Sequence, residues 1–95
     1  MKAAVPNIEA ELELLPDVNL ATIAKIIQAH WTSPYFGAVP YLKAMRELHD
    51  MASAYGCDSA HSIILYFLSN AQTWRGPVAR AVKAELNRRL KGEAK

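Results

Sequence analysis

The chain has 95 residues and only one cysteine, Cys57. That excludes an internal disulfide and fits a reducing, cytoplasmic setting. Long apolar runs are missing as well. The longest, Ile63 to Leu68, has six residues, whereas a bilayer span needs about 20, so no transmembrane helix is expected. Four glycines, Gly37, Gly56, Gly76 and Gly92, stand alone and build no phosphate-cradling loop. Ala3-Ala4-Val5-Pro6 supplies no apolar core for a secretory leader. No stretch repeats at a period typical of solenoids.

Catalytic patterns are equally scarce. Cys57 with His61 one turn later sketches a nucleophile pair, yet no oxyanion donor or orienting residue accompanies it. His30, His49, His61 and Cys57 match no zinc-ligand spacing. Glu9, Glu11 and Glu13 alternate, which on a helix spreads them rather than converging them. No tight turn follows Ala24 at helix-turn-helix spacing. The expectation is a non-enzyme with no catalytic residue, metal or cofactor.

What is present is apolar and helical in pattern. The chain is 52% hydrophobic and 21% charged, with a net charge of +2, which is a globular composition. Its length fits one domain, 1–95. The charge is polarised. Residues 1–19 hold Lys2 against Glu9, Glu11, Glu13 and Asp17. Residues 75–95 hold Arg75, Arg80, Lys83, Arg88, Arg89, Lys91 and Lys95 against Glu85 and Glu93. An acidic start and a basic end can attract each other within one chain or across a dimer, or the basic end can meet an acidic partner.

Five helices follow from caps, breakers and periodicity. Asn7 caps a first helix, Ile8 to Leu15, which Pro16 stops. Asn19 caps a second, Leu20 to Trp31, with Leu20, Ile23, Ala24, Ile27 and Trp31 on its buried face. Pro40 opens a third, reaching Ala54, with Lys43–Glu47 and Arg46–Asp50 paired on its wet side. Gly56 closes it in the left-handed conformation. Asp58 or Ser59 caps the fourth, whose Ile63, Ile64 and Phe67 oppose Leu65 and Tyr66. A helix apolar nearly all round is a central element or an oligomer contact. Gly76-Pro77 starts the fifth, with Val78, Val82, Leu86 and Leu90 inward and Glu85 one turn before Arg89. No strand is expected. The fold class is all-α: a small single-domain bundle of about five helices, the fourth central, with residues 1–6 and 92–95 frayed.

Two sets of residues are candidates for binding. The loops Trp31 to Tyr41 and Asn70 to Gly76 gather aromatics, amides and an arginine: Tyr35, Phe36, Asn70, Trp74 and Arg75. These types make interface hot spots and stacking platforms; they also plug the open ends of a small bundle. On the fifth helix Arg80, Lys83, Asn87 and Lys91 share one stripe, bordered by Arg88. Such a stripe suits a phosphate backbone or an acidic protein, and equally a solvated helix face. Leu65 and Tyr66 leave a homodimer open.

The runs Tyr35-Phe36-Gly37-Ala38-Val39-Pro40-Tyr41-Leu42-Lys43-Ala44-Met45 and Asp58-Ser59-Ala60 set one part of a larger pattern. Tyr66-Phe67-Leu68-Ser69-Asn70-Ala71-Gln72-Thr73-Trp74-Arg75-Gly76 and Ala79-Arg80-Ala81-Val82-Lys83-Ala84-Glu85-Leu86 set the rest. Together they resemble a group of small, uncharacterised helical proteins met in bacterial phages and mobile elements. The resemblance covers roughly Leu20 to Leu90. It carries no assigned activity and no site residues. It implies a setting in which small proteins bind and block a host factor, including defence complexes such as CRISPR effectors. A non-enzymatic binding protein is therefore the expected function, and a nucleic-acid binder using the basic last helix the alternative.

Overall fold

A computed structural model of the chain describes residues 12–92. The expected Asn7 cap and the start of the first helix lie outside the described residues. The described chain opens on helical backbone at residues 12–14 (α1) and passes into a 3-10 turn, Leu15–Asp17, that contains Pro16. Then come α2 (Leu20–His30), a 3-10 turn (Phe36–Ala38), α3 (Val39–Met45), a short hairpin of β1 (Ala54–Tyr55) and β2 (Asp58–Ser59), α4 (Ala60–Ser69) and α5 (Pro77–Leu90). The fold is a small, mostly α-helical bundle.

Local signals set most of these boundaries. Asn19 Oδ1 accepts the Thr22 N–H at 2.8 Å and starts α2. Ser59, rather than Asp58, caps α4, its Oγ accepting the Ser62 N–H at 3.1 Å. Each cap satisfies a backbone donor that the first helical turn leaves open. Pro77 stands at the start of α5, where its missing N–H is harmless.

The core is assembled from one stripe of each helix. Leu20, Ile23, Ala24 and Ile27 of α2 are fully buried, as are Met45 of α3, Ile64 and Phe67 of α4, and Val82 and Leu86 of α5. Helix α4 packs between α3 and α5, and α2 also touches both. At the middle, Trp31 meets Phe67 edge-on at 6.3 Å and stacks on Trp74 at 5.6 Å, with 13° between the planes. These rings tie the end of α2, the last turn of α4 and the loop after it into one cluster. Full burial of a large side chain stabilises by about 1.5–3 kcal/mol.

The third helix is half the expected length. It stops at Met45 because the backbone beyond it has other work. The Leu48 and His49 carbonyls accept the Ala21 and Leu20 N–H groups at 3.1 and 2.9 Å, closing the start of α2. Asp50 Oδ1 then takes the Ala52 N–H at 2.9 Å, and Ser53 Oγ takes those of His49 and Asp50. Side-chain acceptors of this kind compete directly with helix. Neither Lys43–Glu47 nor Arg46–Asp50 closes as an ion pair, because the tightened turn after Met45 removes the one-turn spacing.

A hairpin replaces the rest of that helix. Ala54 pairs with Ser59 and Tyr55 with Asp58, leaving Gly56-Cys57 as a two-residue loop. Gly56 is left-handed, with φ of +61°, but it serves the hairpin turn rather than a helix end. Glycine at the first central position is what a type II′ hairpin turn requires.

Candidate functional site: an uncharged aromatic face beside a basic corner

The 3-10 turn Phe36–Ala38 is built outward. Ala38 is buried and donates its N–H to the Tyr35 carbonyl at 2.8 Å. This pins the turn and throws the two preceding rings to the surface. Phe36 is 79% exposed and Tyr35 46%. Their ring centroids lie 4.8 Å apart. Gly37 allows the arrangement. A Cβ there would lie 2.6 Å from Tyr35 Cε2 and 2.7 Å from Asn70 Oδ1. The turn is thereby pressed against the end of α4.

Asn70 terminates α4. Its Nδ2 donates to the Tyr66 carbonyl at 2.8 Å, and its own N–H reaches the Tyr66 and Phe67 carbonyls. Tyr35, Ser69, Asn70, Gln72 and Thr73 line a depression of about 290 Å³. The outer side of α4 adds Leu65 and Tyr66, which are 43% and 54% exposed. Tyr66 also meets Tyr41 of α3 at 5.6 Å. Two large apolar side chains thus stand on the solvent side of α4, and amides and hydroxyls rim the depression. This can seat one side chain of a partner and offer it hydrogen bonds.

The structure brings Tyr35, Phe36 and Asn70 together and separates Trp74 from them. The Trp74 ring is 4% exposed and stacks inside the core on Trp31. Its expected place on the binding surface is corrected to a core position. Arg75, the next residue, is exposed beside the loop that rims the depression.

The basic stripe of α5 is largely spent within the chain. Lys83 Nζ donates to the Trp74 carbonyl at 2.7 Å. Burial, and then the nearby Arg75 charge, hold its ammonium below the usual lysine range. Arg88 grips Glu85 with bonds of 2.7–3.0 Å. Asn87 Nδ2 returns to the Lys83 carbonyl at 2.9 Å. Arg80 and Lys91 remain exposed. Eleven residues apart on one helix, they stand roughly 16 Å from each other. Along α5 itself these two exposed cations are separated charges rather than a continuous track.

Glu85 and Arg89 are buried, at 6% and 2% exposure. Arg89 Nε binds Glu85 Oε2 at 2.6 Å, and Nη2 donates to the Leu15 and Val18 carbonyls at 2.8 and 2.7 Å. A guanidinium suits this role because it offers several donors in a fixed fork. The pair fastens the 3-10 turn before α2 to the last helix. The one-turn Glu85–Arg89 spacing was the only signal for it, and that spacing says nothing of burial. A second feature without any sequence signal is a cleft of about 410 Å³ between α2 and α3, lined by Ala21, Lys25, Lys43, Arg46 and Glu47.

Cys57 is an exposed free thiol at the hairpin tip, and His61 is exposed in the first turn of α4. Among the described residues, no group of three or more His, Cys, Asp or Glu is placed to hold a metal ion. No helix among them is long and apolar enough to cross a membrane.

No protein-family model matches the chain, and no curated protein or solved structure is significantly similar to it.

Proposed function

We propose that this chain is a non-enzymatic protein-binding domain that docks through Tyr35, Phe36, Leu65, Tyr66 and Asn70. The observation that carries this reading is Phe36, 79% exposed, with its ring tilted against that of Tyr35, which lines a depression. Scattered apolar side chains are ordinary on any surface; a cluster of large ones with a polar rim marks an interaction site. The resemblance to small phage and mobile-element proteins makes a bacterial host factor, such as a defence complex, the proposed target. The free thiol of Cys57 suits a cytoplasmic site of action.

The test is a tagged pull-down from bacterial lysate with nuclease present, using the wild-type chain and Phe36→Ser in parallel. A stoichiometric protein captured by the wild type and lost with the variant supports the reading. Capture of nucleic acid alone, or of the same proteins by both chains, overturns it.

A further inference from the structure

The acids of this chain are distributed in a way that bears on the partner. Residues 18–46 contain no Asp or Glu, and neither do residues 59–84. Every residue of the aromatic face falls in one of these two stretches. The second stretch carries Arg75, Arg80 and Lys83. All three stand at the far end of the loop that rims the depression. Arg75 is exposed two residues after Thr73, Lys83 Nζ sits on the Trp74 carbonyl at 2.7 Å, and the Arg80 N–H bonds the Gly76 carbonyl at 2.9 Å. Arg75 lies close enough to Lys83 to disfavour its charged form. Two like charges are thus held near each other within a stretch of sequence that has no acid of its own.

Resting on the protein-binding reading above, we infer that the partner is an acidic protein segment. It places one aromatic or aliphatic side chain against Phe36 and the depression, and its carboxylates on Arg75 and its neighbours. Charge complementarity carries the choice. An uncharged apolar patch with cations along one edge repels basic partners and steers acidic ones. A second copy of this chain fits poorly, since a two-fold contact presents the same patch from both sides and brings no acid to it. A nucleic-acid strand needs cations repeated along its path, and here they occupy one edge only.

The experiment is selection of a random displayed peptide library on the full chain and on Phe36→Ser. The peptides that depend on Phe36 are expected to be rich in Asp and Glu around one aromatic or leucine. A synthetic copy of an enriched peptide is then titrated beside its Asn/Gln counterpart. The acidic form is expected to bind at least about tenfold more tightly, with the advantage falling at high salt and on Arg75→Glu. Phe36-dependent peptides with no acidic excess overturn the inference and leave the docking face standing. An absence of Phe36-dependent peptides overturns both. A Phe36-dependent dimer in sedimentation, or tighter binding of a 15-nucleotide single strand than of the acidic peptide, overturns the acidic-partner assignment.

Discussion

Helices α4 and α5 each break the rule that apolar side chains face in and charged ones face out, and they break it in opposite directions. Helix α5 turns Glu85 and Arg89 inward; α4 turns Leu65 and Tyr66 outward. The difference lies in who answers each violation. The buried charges are answered inside the chain, by each other and by the Leu15 and Val18 carbonyls. Nothing within the described fold covers the exposed apolar face. A departure from amphipathicity with internal partners is architecture; one without them is where the proposed docking face is drawn. The same contrast divides the aromatics. Trp31, Phe67 and Trp74 hold the bundle, whereas Tyr35 and Phe36 stand on its surface.

The comparison breaks most sharply at Arg89. Arg89→Met leaves Glu85 buried beside Arg88 alone and strips two backbone carbonyls of their donor. A loss of about 3–5 kcal/mol in unfolding free energy is expected by urea denaturation. A change below about 1 kcal/mol would mean that α5 does not depend on this clamp. On the outward-facing rings of the Phe36 turn and α4 the effect falls on binding instead. Phe36→Ser and Tyr66→Ser are expected to keep stability within about 0.5 kcal/mol and to weaken partner affinity by about 2 kcal/mol, roughly 30-fold. Loss of the fold would return these rings to the core.

Gly37 links the two regimes. Gly37→Ala sets a methyl against Tyr35 and Asn70 and is expected to cost about 1–2 kcal/mol of stability while displacing the Tyr35 ring. Unchanged stability and unchanged affinity together would show that the turn is not pressed on α4. The smallest effect is at Lys83. Its folded-state pKa is lowered from 10.5 by burial and then by Arg75, so the folded chain releases this proton before the unfolded chain does. Unfolding then takes up a proton, and stability rises with pH through the window between the lowered value and 10.5. The wild-type unfolding midpoint should gain on that of Lys83→Met as pH is raised across that window. A constant difference removes the linkage.

The parts of this fold legible in the sequence are those that local chemistry writes. Asn19 and Ser59 act within three residues, Pro77 acts on its own N–H, and the stripes of α2 and α4 repeat at helical spacing. The end of α3 was not legible, because its cause is the pairing of the Leu48 and His49 carbonyls with Ala21 and Leu20, far back in the chain. The burial of Arg89 escaped for the same reason: its partners are the carbonyls of Leu15 and Val18. The candidate site was half legible. Tyr35, Phe36 and Asn70 were marked by residue type and fall together. Trp74 carried the same marks and fell inside, because the Trp31 ring was there to stack on it. Residue type names the candidates, and only tertiary pairing sorts plug from platform.

The stacked indoles have a practical consequence. The chain contains two tryptophans, and they are the two rings packed nearly parallel at 5.6 Å. All of its indole light emission therefore originates in one coupled pair inside the core. Unfolding parts the pair and changes both emission and near-ultraviolet circular dichroism. A ligand seated on Phe36 meets phenyl and phenol rings and no indole. The molecule thus carries a label-free optical gauge of folding that is insulated from the proposed docking surface.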